Sequence, residues 1–329
     1  MTRYVVGRVL QAIVVLWAAF TLTFAILYLL PSDPMQLQLG AAGIEEDSLT
    51  PAQLAVEKHR FGLDESIWTQ YWHHLSGAVR GDFGTSIAQG VPVTHLLGQR
   101  AGQTLLLSLL AAILALVVGT ALALVATFVR WNPLRIFLTR LPALGASFPQ
   151  FFVALLLIDL FSFQLGWFPA NGTQGIGSEV MPVVTIAVLV SSVFAQVLIK
   201  SFEETLSQPY IVTARAKGLS RSAVHVRHAF RNAALPAVTV LGVFAGLTVT
   251  SSIVVESVFT REGVGRLAQE SVLSQDVPVV LAVVTVTAAM FVFINLAVDL
   301  LYPLLDPRIS PAGGRKVTAP SAPVEVGSL

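Results

Sequence analysis

The sequence predicts an all-α membrane protein that crosses the bilayer six times. Of its 329 residues, 54% are hydrophobic and only 12% are charged, and the mean hydropathy is +0.74. Soluble domains carry about 25% charged residues, so this composition is typical of a membrane protein. Apolar runs long enough to cross about 30 Å of hydrocarbon recur along the chain, and most cations lie in alternate connections between them.

The apolar runs predict the positions of the membrane helices. The six predicted spans are residues 9–30, 104–129, 136–163, 181–199, 237–256 and 279–301. The first is too long for the apolar core of a signal peptide and lacks a small-residue cleavage site, so it is expected to be retained. The third contains Pro142 and Pro149, which predict a kink.

The distribution of cations predicts the orientation. Lys and Arg cluster before the first span, between the second and third, between the fourth and fifth, and after the sixth. Apart from the long first outer connection, the opposite side holds only Arg261 and Arg266. The positive-inside rule therefore places both termini in the cytoplasm.

Composition divides the chain into four parts. They are an N-terminus with the first transmembrane helix (1–30), an extracytoplasmic region (31–102), a five-helix core (103–308) and a disordered cytoplasmic tail (309–329). The tail is rich in Pro, Ser, Ala and Gly and contains no aromatic residue. In the outer region, Trp68, Tyr71 and Trp72 are expected at the level of the lipid headgroups.

Residues 205–236 form a long polar connection, which we call the basic segment. It contains no acidic residue, and its cations are Arg215, Lys217, Arg221, Arg227 and Arg231, with His225 and His228. Two interpretations fit this composition. The segment is either a solvated loop held at an anionic membrane surface or a docking element for a partner protein.

The local signals in the basic segment predict two helices joined by a break. Ser207 or Gln208 can cap the first helix, and Pro209 suits its first position. Gly218 is expected to end it in the left-handed conformation. Ser220 is expected to cap the second helix.

That second helix is expected to run to about residue 235, with Pro236 opening the next apolar run. Helical spacing predicts two faces along it. One face contains Val226, Phe230 and Ala233, and another contains Arg221, His225 and His228.

The sequence lacks the common signatures of enzymes. Without cysteine it has no disulfide, thiolate metal site or cysteine nucleophile. It contains no G-x-x-x-x-G-K-[ST], H-E-x-x-H or G-x-S-x-G motif. His73 and His74 are adjacent and do not share a helical face. We therefore expect no catalytic residue, bound metal, cofactor or nucleic-acid partner in this chain.

The basic segment resembles the cytoplasmic EAA loop of ABC-importer permeases, and most closely that of the dipeptide/oligopeptide/nickel branch. The matching residues are Thr213-Ala-Arg-Ala-Lys-Gly218-Leu-Ser220, Arg227-His-Ala229, Arg231-Asn-Ala233 and Leu235-Pro236. Further matches follow in the order of that branch: Leu30-Pro-Ser-Asp-Pro34, Phe61-Gly-Leu-Asp64, Gln70-Tyr71, Gly81-Asp-Phe-Gly84 with Ser86, Val255-Glu256, Gly263-Val-Gly265, Asp276-Val-Pro278 and Asp306-Pro-Arg308. Val212 stands where other ABC permeases have the glutamate that names the loop, and Glu262 stands where a proline is usual.

The resemblance implies a type I importer permease (MetI-like) fold in the plasma or inner membrane of a bacterium or archaeon. It implies as partners a second, homologous permease in a heterodimer, two ATP-binding subunits that use ATP and magnesium, an extracytoplasmic binding protein and membrane lipid. The expected cargo is a di- or oligopeptide. The alternative is a stand-alone secondary transporter or channel driven by an ion gradient.

Three sets of candidate residues follow. The resemblance implies that an ATPase-coupling loop contains Thr213, Ala214, Arg215, Ala216, Lys217, Gly218, Leu219, Ser220, Arg227, Arg231 and Pro236. Polar residues within the spans are candidates for the translocation path, namely Gln150, Asp159, Gln196, Ser251, Ser252 and Asn295. For Asn295 and Asp299 a structural hydrogen-bond role is the favoured alternative. The outer mouth or the contact with the binding protein is expected to involve Asp82, Glu256, Phe259, Gly263 and Gly265.

Overall fold

The computed structural model is an assembly of α-helices and describes residues 2–29, 50, 53, 56 and 65–305. The helices are α1 (Thr2–Leu29), α2 (Ile67–Arg80), α3 (Val93–Phe128), α4 (Asn132–Ser147), α5 (Gln150–Leu157), α6 (Gly177–Leu206), α7 (Pro209–Ala216), α8 (Phe230–Val258), α9 (Val264–Leu273) and α10 (Val277–Leu305). Within the described residues there is no β-strand, only one isolated bridge between Thr85 and Pro92. The predicted all-α fold class is confirmed, whereas the predicted tail lies outside the described residues.

Most of the predicted spans coincide with long apolar helices. Among the described residues, α1, α3, α6 and α10 are each long and apolar enough to cross a membrane. Helices α4 and α5, with the π-helical stretch Ile158–Gln164 that continues α5, make a fifth span if the bent pair is one crossing. The fifth predicted span lies in α8. The count of six crossings and the cytoplasmic side of both termini stay predictions.

Helix α6 lies at the centre of the bundle and packs against α3, α4, α5 and α8. Two glycines allow neighbouring helices to approach it closely. A Cβ atom at Gly119 of α3 would lie 2.7 Å from the ring of Phe194, and one at Gly145 of α4 would collide with the Ser192 hydroxyl. Small residues at crossings are typical of membrane helices, because dispersion contacts between backbones replace the hydrophobic effect there.

The third predicted span is broken rather than kinked. Helices α4 and α5 are bent by 100° at Phe148 and Pro149. A proline disfavours helical backbone in the preceding residue, and Phe148 is extended with ψ 130°. Pro142 lies inside α4 without interrupting it, and the Gln196 amide of α6 donates to the Pro142 carbonyl at 3.3 Å. The break therefore occurs only at the second proline.

The outer region contains an ordered helix, α2, that packs on α1. Ser66 caps its first turn, and Gly81 ends it with φ 78°. The Tyr71 hydroxyl accepts from the indole N–H of Trp17 at 2.9 Å, and its ring contacts Phe20. The side chain of Tyr71 is 9% exposed, and its level relative to the lipid headgroups stays a prediction. Trp68 and Trp72 of the same helix are exposed.

Candidate functional site

Helix α7 of the basic segment starts without a side-chain cap. Gln208 occupies the N-cap position with extended backbone but makes no capping bond, and the Ser207 hydroxyl donates backwards to the Glu204 carbonyl. The prediction of a Ser207 or Gln208 cap is therefore wrong. Pro209 stands in the first turn as predicted, where its missing N–H leaves no helical bond unmade.

Gly218 ends α7 as predicted. Its φ of +79° is left-handed, its N–H bonds to the Arg215 carbonyl at 3.0 Å, and the Leu219 N–H bonds to the Ala214 carbonyl at 3.4 Å. These two bonds form a Schellman motif, which reverses the chain within one turn. Ser220 then caps the next helix by accepting the Ala223 N–H at 3.3 Å.

The second helix does not end near residue 235. A turn at Arg221–Ala223 continues through the π-helical stretch Val224–Ala229 into α8, which extends to Val258 with Pro236 inside it. The prediction that Pro236 opens a new segment is therefore wrong. A proline costs one i→i−4 hydrogen bond, and membrane helices tolerate that loss where neighbouring groups compensate.

The π-helical stretch also changes which side chains face inward. Val226 is 62% exposed, whereas His225 is 3% exposed and Ala233 is fully buried. The predicted face of Val226, Phe230 and Ala233 is therefore wrong, because the extra residue in a π-turn rotates the helix out of the 3.6-residue register.

His225 packs between α3, α6 and the basic segment. Its ring stacks on Phe202 and meets Phe128 edge-on, with centroid distances of 5.5 Å in both cases. Its Nε2 lies 3.0 Å from the Thr127 hydroxyl, which itself donates to the Ala123 carbonyl. The imidazole therefore donates this bond. Burial, followed by the nearby cations Arg221 and Arg215, lowers the pKa of His225, so the ring is neutral at pH 7.

The basic segment has one face on its own bundle and one face free. Ile211 and Ala214 of α7 are buried with Phe202 and Val224. Ala214, a predicted coupling residue, therefore contacts this chain's own helices. The other predicted coupling residues are exposed, namely Thr213, Arg215, Ala216, Lys217, Gly218, Leu219, Ser220, Arg227, Arg231 and Pro236.

The cations of the basic segment are not neutralised within the described part of the chain. None of the ion pairs there includes Arg215, Lys217 or Arg227. The guanidinium of Arg221 lies 4.9 Å from the ring centroid of Phe128. Desolvation and the neighbouring guanidinium groups of Arg130 and Arg215 lower the pKa of Arg221 from its ordinary high value. The free face therefore presents uncompensated positive charge.

At the other end of α8 the chain makes what we call the outer corner, residues 256–276. Glu256 is 1% exposed, and its carboxylate accepts the Gly265 N–H at 2.7 Å, at the start of α9. A Cβ atom at Gly263 would collide with this carboxylate. Glu256, Gly263 and Gly265, predicted from separate sequence positions, therefore form one contact.

The remaining predicted mouth residues lie elsewhere. Phe259 is 2% exposed and packs in the main core with Val255. Asp82 is exposed, and its carboxylate accepts the Gly84 N–H at 2.9 Å to close a turn. Glu256 and Phe259 are thus buried, and Asp82 is the exposed residue of these three.

Comparisons with known proteins agree with this architecture. Residues 115–311 match the family model of the binding-protein-dependent transport system inner membrane component, and residues 1–108 match the model of its N-terminal part. The glutathione transport system permease proteins GsiC of Escherichia coli (strain K12) and Salmonella choleraesuis (strain SC-B67) are 37% and 38% identical over 311 residues, which are 94% of this chain and 99% of each relative. The chain belongs to this family of permeases. It is an inner-membrane permease subunit of an ABC importer.

Two solved transporters share the fold of the permease. An amino acid ABC transporter aligns with a TM-score of 0.50 at 20% identity, covering 66% of this chain and 95% of that one. The MetNI methionine ABC transporter, in an inward-facing conformation, aligns with a TM-score of 0.52 at 16% identity, covering 64% and 96%. These alignments confirm the predicted type I, MetI-like fold.

The six predicted path residues of the permease are not joined into one network. No hydrogen bond among described residues connects any two of them. Asp159 accepts from Gln164 at 2.8 Å, the Ser252 hydroxyl donates to the Val249 carbonyl, and Gln196 is bonded to α4 as described above. Ser251 is half-buried. The amide nitrogen of Gln150 is buried without a partner in the described structure.

Asn295 has the environment of a packing residue. Its amide donates to the Phe291 carbonyl at 2.8 Å, and a Cβ atom at Gly246 would lie 2.5 Å from its amide nitrogen. Asn295 therefore fills the close crossing of α10 with α8, which agrees with the structural alternative. The side chain of Asp299 lies outside the described residues.

Sequence reasoning missed two buried charged residues of the permease. The guanidinium of Arg261, 1% exposed, pairs with Glu179 at 2.6 Å and donates to the Ser178 carbonyl at 3.1 Å. The carboxylate of Asp276, also 1% exposed, accepts the Ser86 hydroxyl at 2.5 Å. From the sequence, Arg261 is recognisable only as a cation of the outer side. Asp276 and Ser86 both lie in matching motifs, but no spacing rule pairs residues 190 positions apart.

Proposed function

We propose that this permease forms, with a second permease, the import path for short peptides, and that the basic segment couples the path to two ATP-binding subunits. The observation that carries the coupling role is the free face of α7 and its Gly218 turn. The opposite face of α7 packs on the helix bundle, and the cations of the free face form no ion pair within the described residues. The free face is predicted to be cytoplasmic. A rigid element of this kind can transmit a movement of its partner to the bundle.

The mounting is specific. Ile211 and Ala214 fix α7 on the bundle, and the Asn232 amide of α8 donates to the Tyr210 hydroxyl at 2.8 Å. A force on α7 therefore acts directly on α8, which extends to the outer corner. The free face combines cations with exposed apolar side chains, including Val212 and Leu219. A groove with an apolar floor and an acidic rim would complement it.

The partners follow from membership of a binding-protein-dependent family. An extracytoplasmic binding protein delivers cargo, a homologous permease completes the path as a heterodimer, and two subunits bind ATP with magnesium. This chain contributes no phosphate-cradling loop of the G-x-x-x-x-G-K-[ST] type. ATP hydrolysis is therefore assigned to the separate ATP-binding subunits, and this chain takes no chemical step.

The cargo proposal rests on relatives. Permeases named for glutathione transport align with nearly the whole chain. Glutathione is a tripeptide, and the resemblance seen in the sequence is to the dipeptide/oligopeptide/nickel branch. We infer that the cargo is a short peptide of two to several residues, with glutathione as the first candidate to test.

Reconstitution tests cargo and class together. The permease pair and the ATP-binding subunits are placed in proteoliposomes, and their binding protein is supplied with radiolabelled glutathione, a dipeptide or a chelated nickel complex. ATP-dependent uptake of a peptide supports the proposal. Uptake of the nickel complex alone contradicts the cargo, and ion-driven uptake by this chain alone supports a secondary transporter instead.

A pair of substitutions tests the coupling role. Gly218 has φ +79°, so Gly218→Val forces a β-branched residue into left-handed backbone. Gly218→Asn instead introduces a residue that tolerates left-handed backbone. We expect Gly218→Val to reduce ATP-dependent uptake about tenfold or more while the permease still inserts, and Gly218→Asn to stay near wild type. Normal uptake by Gly218→Val would refute the coupling role.

A further inference from the structure

Helix α9 is held between two strained residues. Among the residues that the structure describes, Thr260 (φ 51°) and Gln275 (φ 57°) are the two non-glycine positions with left-handed backbone. One precedes α9 and the other follows it. Such backbone is costly, especially for the β-branched Thr260, and it persists only where surrounding contacts impose it. Residues of this kind cluster at switches and gates, so both ends of α9 require an explanation.

At the first end, the contacts that impose the strain come from Arg261, directly after Thr260. Its guanidinium is buried and binds the Ser178 carbonyl, the Glu179 carboxylate and, at 3.4 Å, the Gln103 side chain. These groups belong to α6 and α3. Arg261 therefore fixes the start of the corner to two helices that are distant in sequence.

At the second end, Asp276 follows Gln275 and has the equivalent role. Its carboxylate accepts the Ser86 hydroxyl at 2.5 Å and the N–H groups of Ile87 and Ala88 at 3.3 and 3.2 Å. These groups belong to the turn between α2 and α3. Each strained residue is thus followed by one buried charge whose side chain reaches a different part of the bundle.

Between these ends, α9 covers the outer ends of other helices without being enclosed. Val264 and Leu267 are buried against Val93 and Leu97 of α3 and against α10. On its other side Val272 and Leu273 are 60% and 78% exposed. The helix is therefore a cover with a buried inner face and a free outer face.

We propose that α9 is a gate helix at the outer mouth, which pivots at Thr260 and Gln275 and is held in the closed position by the positioning residues Arg261 and Asp276. This proposal rests on the import function proposed above, because a gate requires a path. The strain favours opening and the two buried charges oppose it. Small changes in the balance then move the helix between two positions.

The balance predicts opposite effects of two neighbouring substitutions. Asp276→Asn keeps the shape of the side chain but weakens its charge-assisted bonds to Ser86 and the turn, so it favours the open position. Gln275→Gly removes the cost of left-handed backbone in the closed position, so it favours closure. Ser274→Gly, with φ −86°, introduces a glycine at the same corner without relieving strain and is the matched control.

Thiol labelling measures the position of α9. The chain has no native cysteine, and Ser271, 3% exposed on the inner face of α9, accepts a near-isosteric change to cysteine. The complete complex carrying Ser271→Cys, in nanodiscs, is labelled with a fluorescent maleimide, and the rate is read on this chain after electrophoresis. The rate is compared without nucleotide and after trapping with ATP and vanadate.

We expect Asp276→Asn to raise the labelling rate about fivefold, Gln275→Gly to lower it about threefold and Ser274→Gly to leave it unchanged, with trapping changing the parent rate at least about twofold. Shifts of both variants in the same direction, no shift in either, or a rate insensitive to trapping would overturn the gate. Labelling does not require cargo, so a complex that labels as expected but shows no ATP-dependent uptake refutes the proposed function while leaving the pivot intact.

Discussion

The basic segment and the outer corner use left-handed backbone and charge in opposite ways. In the basic segment the turn residue is Gly218, which adopts φ +79° without strain, and the neighbouring cations are exposed. In the outer corner the turn residues are Thr260 and Gln275, and the charges beside them, Arg261 and Asp276, are buried. Exposed, unpaired charge is available to a partner, whereas buried, paired charge holds the chain together. This contrast fits the docking role proposed for the first region and the holding role proposed for the second.

Removing one cation from each region should separate these roles most clearly. Arg261→Met leaves the Glu179 carboxylate without its partner, and breaking such a buried pair costs about 3–5 kcal/mol. Arg215→Met removes an exposed cation and should change stability by about 0.5 kcal/mol or less. Both stability changes are measured by heating the purified permease in detergent and following its unfolding with a dye that does not react with thiols.

The matching control is the double variant Arg261→Met with Glu179→Gln, which removes both charges. It should recover part of the lost stability, since no unpaired charge stays buried. ATP-dependent uptake should rank the two single variants in the opposite order, because Arg215→Met is expected to impair uptake although its complex stays stable. Equal stability losses at the two positions would remove the distinction between a docking cation and a holding cation.

The two regions also differ in how much the sequence reveals. The basic segment is contiguous, so Pro209, Gly218 and Ser220 predict its helix limits by local rules. The all-α fold follows from apolar runs for the same reason. Local rules failed where a π-turn changed the helical register at His225 and where Pro236 did not interrupt α8.

The outer corner depends on contacts that are distant in sequence. Ser86 and Asp276 are separated by 190 positions, and Arg261 and Glu179 by 82. Spacing within a helix or turn carries no information on such pairs. The motif glycines of the corner could be recognised in the sequence, but the reason for them, the Glu256 carboxylate, required the three-dimensional arrangement.

Alanine substitutions at one glycine of each region should cause stability losses of intermediate size, and for different reasons. At Gly263 the backbone is extended and strain-free, but a Cβ atom collides with the Glu256 carboxylate, so Gly263→Ala should cost about 1–3 kcal/mol through overpacking. At Gly218 there is open space, but φ is +79°, so Gly218→Ala should cost about 1 kcal/mol through backbone strain alone.

A second substitution distinguishes these two causes. Glu256→Asp shortens the side chain by one methylene and should partly offset Gly263→Ala in a double-mutant cycle. The same change should not affect the cost of Gly218→Ala. Thermal unfolding of the wild type, the three single variants and the two double variants gives both coupling energies. Strict additivity of Gly263→Ala and Glu256→Asp would show that the glycine is required for another reason.

The smallest expected effect concerns pH and the buried ring of His225. Burial and nearby cations lower its pKa below the ordinary value of 6.5, so the unfolded chain binds a proton before the folded permease does. The stabilising contribution is therefore fully present above pH 6.5 and is lost as pH falls from there through the folded-state pKa. His225→Phe keeps the stacking on Phe202 but cannot be protonated. The melting temperature of the wild type should fall more between pH 7.5 and pH 5.5 than that of His225→Phe, and His228→Phe, at a less buried position, should retain the wild-type dependence. An unchanged slope in His225→Phe would mean that another group carries the acid sensitivity of the basic segment.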